Sequence, residues 1–165
     1  MSKHFEFLRS KIDNWDPEFK WVNNIADVGD IINKPHEDYP KYILPTIGAI
    51  EYFSSRREIN SEDLKSNWLI FHIHYLIFKN HNHDKFRDIQ VKVGLHLPPK
   101  PELVKKYMDE LWQVYPSLNL NNIQDWFYDF ETIHPFQDGN GRVGSTIVAV
   151  VSHHLIPSSG WLIPY

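Results

Sequence analysis

His134-Pro-Phe-Gln-Asp-Gly-Asn-Gly-Arg142 is the stretch around which this 165-residue chain is organised. Before it, Ile123, Trp126, Phe127, Phe130 and Ile133 recur at helical spacing; after it, Val143, Ile147, Val148, Val150, Val151 and Leu155 do the same. The spacing predicts two helices joined by a glycine-rich turn, the first capped by Asn121 or Asn122, the second broken by Pro157. Such a turn opening a helix is an anion site, because the first-turn N–H groups lack partners and the helix dipole favours negative charge. Gly139 and Gly141 let backbone amides approach phosphate oxygens with no Cβ in the way.

Each side chain of the stretch has a chemical use. His134 ends the preceding helix, because a residue before proline is pushed out of the α region. Its unperturbed pKa near neutrality suits a general base acting on a hydroxyl. Asp138 offers oxygens to Mg²⁺, which is held by one or two carboxylates together with phosphates and water. Asn140 can orient a phosphate oxygen, Phe136 would plug the loop into the core, and Arg142 can grip phosphate with its fork of donors. A turn shaped for geometry alone needs no base, acid, amide and arginine together.

Outward from the loop, helical patterns dominate. Ser61-Glu-Asp opens a helix running to about Phe78, with Leu64, Trp68, Phe71 and Tyr75 on one face and a lower half apolar nearly all round, which predicts a buried central helix. Tyr42 to Phe53 is a helix with Ile43, Ile47, Ile50 and Phe53 on one face and Pro45 in its first turn. Pro101 starts another, carrying Leu103, Val104, Tyr107, Met108, Leu111 and Trp112 inward. Short helical pieces are expected at Ser2–Ile12 and Pro17–Val28. Ile89, Val91 and Val93 alternate with Gln90 and Lys92 up to Gly94, a strand pattern paired with Leu95 to Leu97 in a hairpin. The expected class is mainly α with one small β-hairpin, in a single domain: a helical N-terminal extension over 1–60 and a core over 61–160.

Composition sets bounds. Hydrophobic residues make up 42% and aromatics 15%, with six tryptophans and ten phenylalanines, so large rings build the core. The absence of cysteine excludes disulfides, thiolate zinc sites and cysteine nucleophiles. A net charge of −4 gives no basic field for nucleic acid. No stretch is long and apolar enough to span a bilayer, and the charged N-terminus does not read as a signal peptide. The expected setting is the cytoplasm, with a secreted effector lacking a cleaved signal as the alternative. His72 and His74 sit two apart on a helix and face different ways, and His81 and His83 lie in a polar loop; neither pair reads as a metal site.

The loop His134 to Arg142 resembles the signature of the Fic (Fic/Doc) domain family. Phe86-Arg-Asp-Ile-Gln-Val-Lys-Val-Gly-Leu-His-Leu-Pro-Pro99 is similar to the family's β-hairpin flap over the active site. The resemblance covers about residues 60 to 160. It implies a Fic-type helical bundle and a Mg²⁺-dependent transferase that moves AMP from ATP to a Ser, Thr or Tyr hydroxyl of a target protein. On that resemblance His134 is the base, Asp138 holds the metal, Gly139, Asn140, Gly141 and Arg142 hold phosphates, and Ile89, Gln90, Val91, Lys92 and Val93 dock the target. Arg87 and Lys92 are further candidates for meeting substrate or phosphate, and a separate inhibitory antitoxin is among the partners the family implies. One position departs from the pattern: Ser145 stands where the family usually has a second arginine for the γ-phosphate. Donors for UMP or phosphocholine transfer therefore stay open, as does a non-catalytic binding module; Doc-like phosphorylation is disfavoured by Asn140-Gly-Arg142.

Overall fold

The computed structural model describes residues 5, 17–56, 67–79 and 85–165. In chain order the elements are β1 (Phe19–Val22), α1 (Ile25–Asn33), α2 (Ile43–Ser54), α3 (Asn67–Phe78), α4 (Pro101–Val114), α5 (Ile123–Ile133), α6 (Asn140–Leu155) and β2 (Trp161–Pro164), with a 3-10 turn at Pro157–Ser159. The architecture is mainly helical with one two-stranded antiparallel sheet.

The centre is α6. Every residue from Arg142 to Ser152 is buried, because α1, α2, α3, α5 and β2 all pack on it. Its buried hydroxyls are satisfied locally: Thr146 Oγ1 donates to Arg142 O at 2.7 Å, and Ser152 Oγ donates to Ala149 O while accepting from Leu162 N. The preceding helix, α5, places Ile123, Trp126, Phe127, Phe130 and Ile133 in the same core, on the face its periodicity predicts. Trp126 stacks on Phe130 at 5.1 Å and lies against Trp112 of α4 at 5.6 Å. Ring pairs of this kind contribute about 0.5–1.5 kcal/mol each beyond the area they bury.

Four expectations are corrected. The central buried helix is α6 rather than α3. Within α3 the inward face is Leu69, Ile70, Ile73, His74 and Ile77, whereas Trp68 and Tyr75 are 53% and 37% exposed. In a segment apolar nearly all round, spacing does not choose a face. The stretch Pro17–Val28 is not one helix: Phe19–Val22 forms β1, pairing Phe19 with Pro164 and Val22 with Trp161, and the helix begins at Ile25 behind Asn24, whose side chain accepts from Ala26 N. Trp161–Pro164, at the other end of the chain, is thus a paired strand.

The fourth correction concerns the segment expected as a hairpin. Ile89–Val93 and Leu95–Leu97 do not form two strands; the pairing is a single bridge between Val93 and His96. Side chains take the places that ladder N–H groups would need. Gln90 Nε2 donates to Pro98 O at 3.0 Å, Arg87 donates to Pro99 O, and Pro98 and Pro99 have no N–H to give. The expected pieces at Ser2–Ile12, Ser61-Glu-Asp and the loop bearing His81 and His83 fall largely or wholly outside the described residues. Among the described residues no helix is long and apolar enough to cross a membrane.

Candidate active site

The loop between α5 and α6 takes its shape from its own side chains. Asn140, 2% exposed, accepts from Phe136 N at 2.8 Å through Oδ1 and donates to Phe136 O at 2.7 Å through Nδ2. Its amide is therefore committed to the loop, which corrects the expectation that it orients a phosphate; what it retains for a ligand is its backbone N–H. Phe136 does plug the core, stacking on His74 at 4.2 Å. His74 in turn donates from Nε2 to Asp138 O at 3.1 Å, and burial lowers its pKa.

The two glycines differ. Gly139 has φ of 86°, and a Cβ there would lie 2.3 Å from the Phe78 ring, so backbone and packing both demand glycine. Gly141 has no such demand: the nearest atoms to a Cβ would be the Glu131 carboxyl oxygens at 3.8 and 4.0 Å. Among the described residues nothing else comes within 4 Å of that position, so packing leaves a small space beside the first turn of α6.

His134 caps α5 in the left-handed region at φ 53°, donating its N–H to Phe130 O. That conformation is uncommon without glycine, and Arg87 holds it. Arg87 Nε donates to His134 O at 2.7 Å, NH2 to Ile133 O at 3.4 Å and Pro99 O at 2.5 Å, and NH1 to Ile89 O at 3.0 Å. Its backbone N–H adds a bond to Pro135 O at 2.9 Å. Arg87 thus meets the orphan carbonyls at the end of α5, the role a cation plays at a helix C-terminus, and also lines the cleft beside Asp138.

The His134 ring has its Nδ1 3.3 Å from Glu131 O. A carbonyl only accepts, so Nδ1 carries the proton and Nε2 keeps the free lone pair that a base needs. Burial above all pushes the His134 pKa down to about 4; the charges of Arg87 and His96 add to the fall, and Glu131 O and Asp138 oppose it. His96, itself buried, bonds through Nε2 to Thr132 O at 2.9 Å and ties the 85–100 segment to the same helix end.

Asp138 is the exposed acid of the site, its side chain 76% accessible, accepting on Oδ1 from Gly139 N at 2.9 Å and from Arg142 NH2 at 3.4 Å. Arg142 is enclosed: its side chain is 2% exposed and its NH1 donates to Asp38 Oδ1 at 2.7 Å. Its guanidinium lies 4.7 Å from the Phe78 ring and 5.3 Å from that of Tyr42. The grip on phosphate expected of Arg142 is occupied here by carboxylates. A cleft of about 420 Å³ opens beside Asp138, walled by Tyr42, His74, Phe78, Phe136 and Lys85. Ser145, one turn on from Arg142, is buried and carries no charge. Ile89 and Val93 are each 43% exposed and Lys92 is exposed, so the target-docking candidates face outward from an irregular segment.

The structure brings His134, Asp138, Gly139, Asn140, Gly141 and Arg142 together around the start of α6 and adds three residues that sequence reasoning did not place there: Asp38, Glu131 and His96. Glu131 had a signal, being three residues before His134 on a helix that is otherwise largely aromatic. Asp38, 104 residues from Arg142, had none. Among the described residues no cluster of three or more His, Asp or Glu could hold a metal. A single exposed carboxylate at a helix start nevertheless suits Mg²⁺ wherever phosphate oxygens and water complete the shell.

Residues 64–151, more than half of the chain, match the sequence model of the Fic/DOC family. The fold is similar to the crystal structure of a Fic family protein from Desulfovibrio desulfuricans G20, with a TM-score of 0.59 and 18% identity over 80% of this chain. The chain spans 43% of the length of that protein.

Proposed function

The chain belongs to the Fic/DOC family, and on that premise we propose that it transfers AMP from ATP to a hydroxyl side chain of a target protein in a Mg²⁺-dependent reaction. The observation that carries this reading is the state of His134. It is neutral, its Nδ1 proton is directed at Glu131 O, and its free Nε2 belongs to a ring positioned beside a helix start with room at Gly141. Binding alone needs no base held in this way. In the reaction, Nε2 takes the proton of the target hydroxyl and its oxygen bonds to the α-phosphorus. The bond from that phosphorus to the bridging oxygen breaks, and pyrophosphate leaves with the electron pair. Phosphate charge arriving beside the ring raises its pKa and strengthens the base. The N–H groups of Asn140 and Gly141 face developing charge, that of Gly139 being given to Asp138; preorganised donors of this kind are usually the largest catalytic contribution. Mg²⁺ held by Asp138 would neutralise phosphate charge. The target lies along Ile89 to Val93, whose exposed apolar side chains offer it a surface. The absence of cysteine suits a cytoplasmic setting.

Ser145 favours a second reading of the same site. A buried serine cannot grip a γ-phosphate, so a donor without one, CDP-choline for phosphocholine transfer, fits the loop equally well, and a site that does not read the γ-phosphate leaves UMP transfer from UTP open too. Mass spectrometry of the protein incubated with Mg²⁺ and ATP, UTP or CDP-choline separates them. A mass gain of one AMP with ATP, abolished by EDTA and by H134A, is the expected result. A gain with another donor transfers the assignment to that donor. No gain with any of them, while ADP still binds by calorimetry, refutes transferase activity and leaves a binding module.

A further inference from the structure

Glu131 is a partly buried acid that the proposed mechanism leaves unused. It projects from α5 one turn before His134, and its two carboxyl oxygens are the atoms closest to where a Cβ of Gly141 would stand. The residue as a whole is half-buried, but Oε1 is enclosed and has no hydrogen-bond partner among the described residues. An enclosed oxygen gains no partner from a ligand; the oxygen that can meet one is Oε2, the nearer to the Gly141 position at 3.8 Å.

The charged and titratable groups on the elements packed around it are otherwise engaged. Arg142 on α6 is paired with Asp38 and Asp138, and Arg87 and His96 on the connecting segment bond backbone oxygens. His134 on the same helix is neutral. Burial alone moves the Glu131 carboxyl, pushing it up to about 8, so the group is an uncharged acid at neutral pH. A neutral acid has a donor to offer. A carboxylate in the same place would repel any anion on the first turn of α6.

We infer that Glu131 contacts the substrate: its carboxylic acid donates a hydrogen bond to a phosphoryl oxygen seated against Gly141. This rests on the nucleotide reading of the loop and extends it, because the site then holds a neutral base and a neutral acid on one helix end, His134 for the hydroxyl and Glu131 for the phosphoryl group. Neighbouring titratable groups whose environments separate their pKa values in this way mark acid and base roles.

The test is calorimetric titration of the whole chain with ADP and Mg²⁺ between pH 6.5 and 9, on wild type, E131Q and E131A. Gln keeps the volume and a neutral donor without a titrating proton. Wild type loses affinity as the pH rises through the titration of Glu131. E131Q matches wild type at pH 6.5 and stays level to pH 9 apart from the ligand's own titration, which all three proteins share. E131A is weaker at pH 6.5 by about tenfold or more. If E131Q keeps the wild-type fall, or if E131A binds as tightly as wild type at pH 6.5, this inference fails and the nucleotide reading stands. If wild type binds no ADP at pH 6.5, the nucleotide reading fails and takes this one with it.

Discussion

Replacing Glu131 by Gln removes a proton that the folded chain binds far more tightly than the unfolded one. The carboxyl moves from 4.5 to about 8 on folding because burial disfavours its charge. A carboxyl raised in this way contributes stability that is complete below pH 4.5 and is lost as pH rises through about 8. His134 moves the other way, from 6.5 down to about 4, so its contribution is complete above pH 6.5 and is lost as pH falls toward 4. Each slope is about 1.4 kcal/mol per pH unit. Between pH 4.5 and 6.5 these two oppose each other, while His36, His74 and His96, also lowered by burial, add to the loss at acid pH; from 6.5 to 8 Glu131 dominates and stability falls by about 2 kcal/mol. Water reaching the exposed part of the side chain reduces that figure, and about half of it still exceeds the scatter of denaturant extrapolation. In E131Q the fall above pH 6.5 disappears and the loss below it stands uncovered. Urea unfolding of both proteins at pH 5, 6.5 and 8 measures this. Stability curves that run parallel in wild type and E131Q would refute the reasoning, since the proton would then belong to another group.

Other outcomes follow from the same geometry. H134A lowers transfer by about 10² to 10⁴ while ADP affinity changes little, measured by a transfer assay beside calorimetry; equal losses of both would make His134 structural. R87A loses the cation that holds the last carbonyls of α5, so kcat falls with KM little changed, and the His134 pKa followed by NMR rises as a lowering charge is removed; an unmoved pKa would refute the positioning role. S145R tightens ATP relative to ADP by about tenfold or more, because position 145 lies one turn from Arg142; a wild type that already prefers ATP tenfold would refute the premise.

Much of the fold was legible because local pattern and tertiary packing agree where one helix face is apolar and the other polar. Ile123 to Ile133 and Pro101 to Val114 are such helices, and the structure buries the faces their spacing marks, with Leu103 and Tyr107 covered only in part. Asn67–Phe78 was legible as a helix but not in its facing, since apolar residues all round leave the choice of face to its neighbours. Phe19–Val22 was illegible as a strand because its partner, Trp161–Pro164, lies at the other end of the chain. The segment 89–97 shows the reverse failure. Its alternation is real, yet Gln90 and Arg87 take the carbonyls a second strand would have used. In the loop, His134, Asp138 and the glycines read directly from residue type, while Asn140 was misjudged because an amide that folds its own turn has the same letter as one that holds a ligand.

Arg142 carries the largest gap between residue type and state, because its partner comes from a distant part of the chain. Residue type names a phosphate grip, yet both terminal nitrogens face carboxylates and Nε is enclosed without a partner. A guanidinium this buried cannot be left alone, since stripping a buried ion pair of one partner costs several kcal/mol. It can exchange one anion for another. Asp138, 76% exposed, is the freer partner but the candidate metal ligand; Asp38, 34% exposed, is the partner that competes directly for NH1. A β-phosphate approaching Arg142 therefore competes with Asp38 for NH1. Asp38→Asn keeps the shape, removes the competing charge, and leaves Asp138 as the remaining carboxylate. The expected result is ADP affinity raised several-fold, up to about tenfold, together with a lower melting temperature in the absence of ligand. The thermal cost would shrink as ADP is added, because the ligand supplies the missing anion. Affinity left unchanged or weakened in D38N would show that the phosphate does not meet Arg142 at that edge, and the grip would have to be sought elsewhere in the cleft beside Asp138.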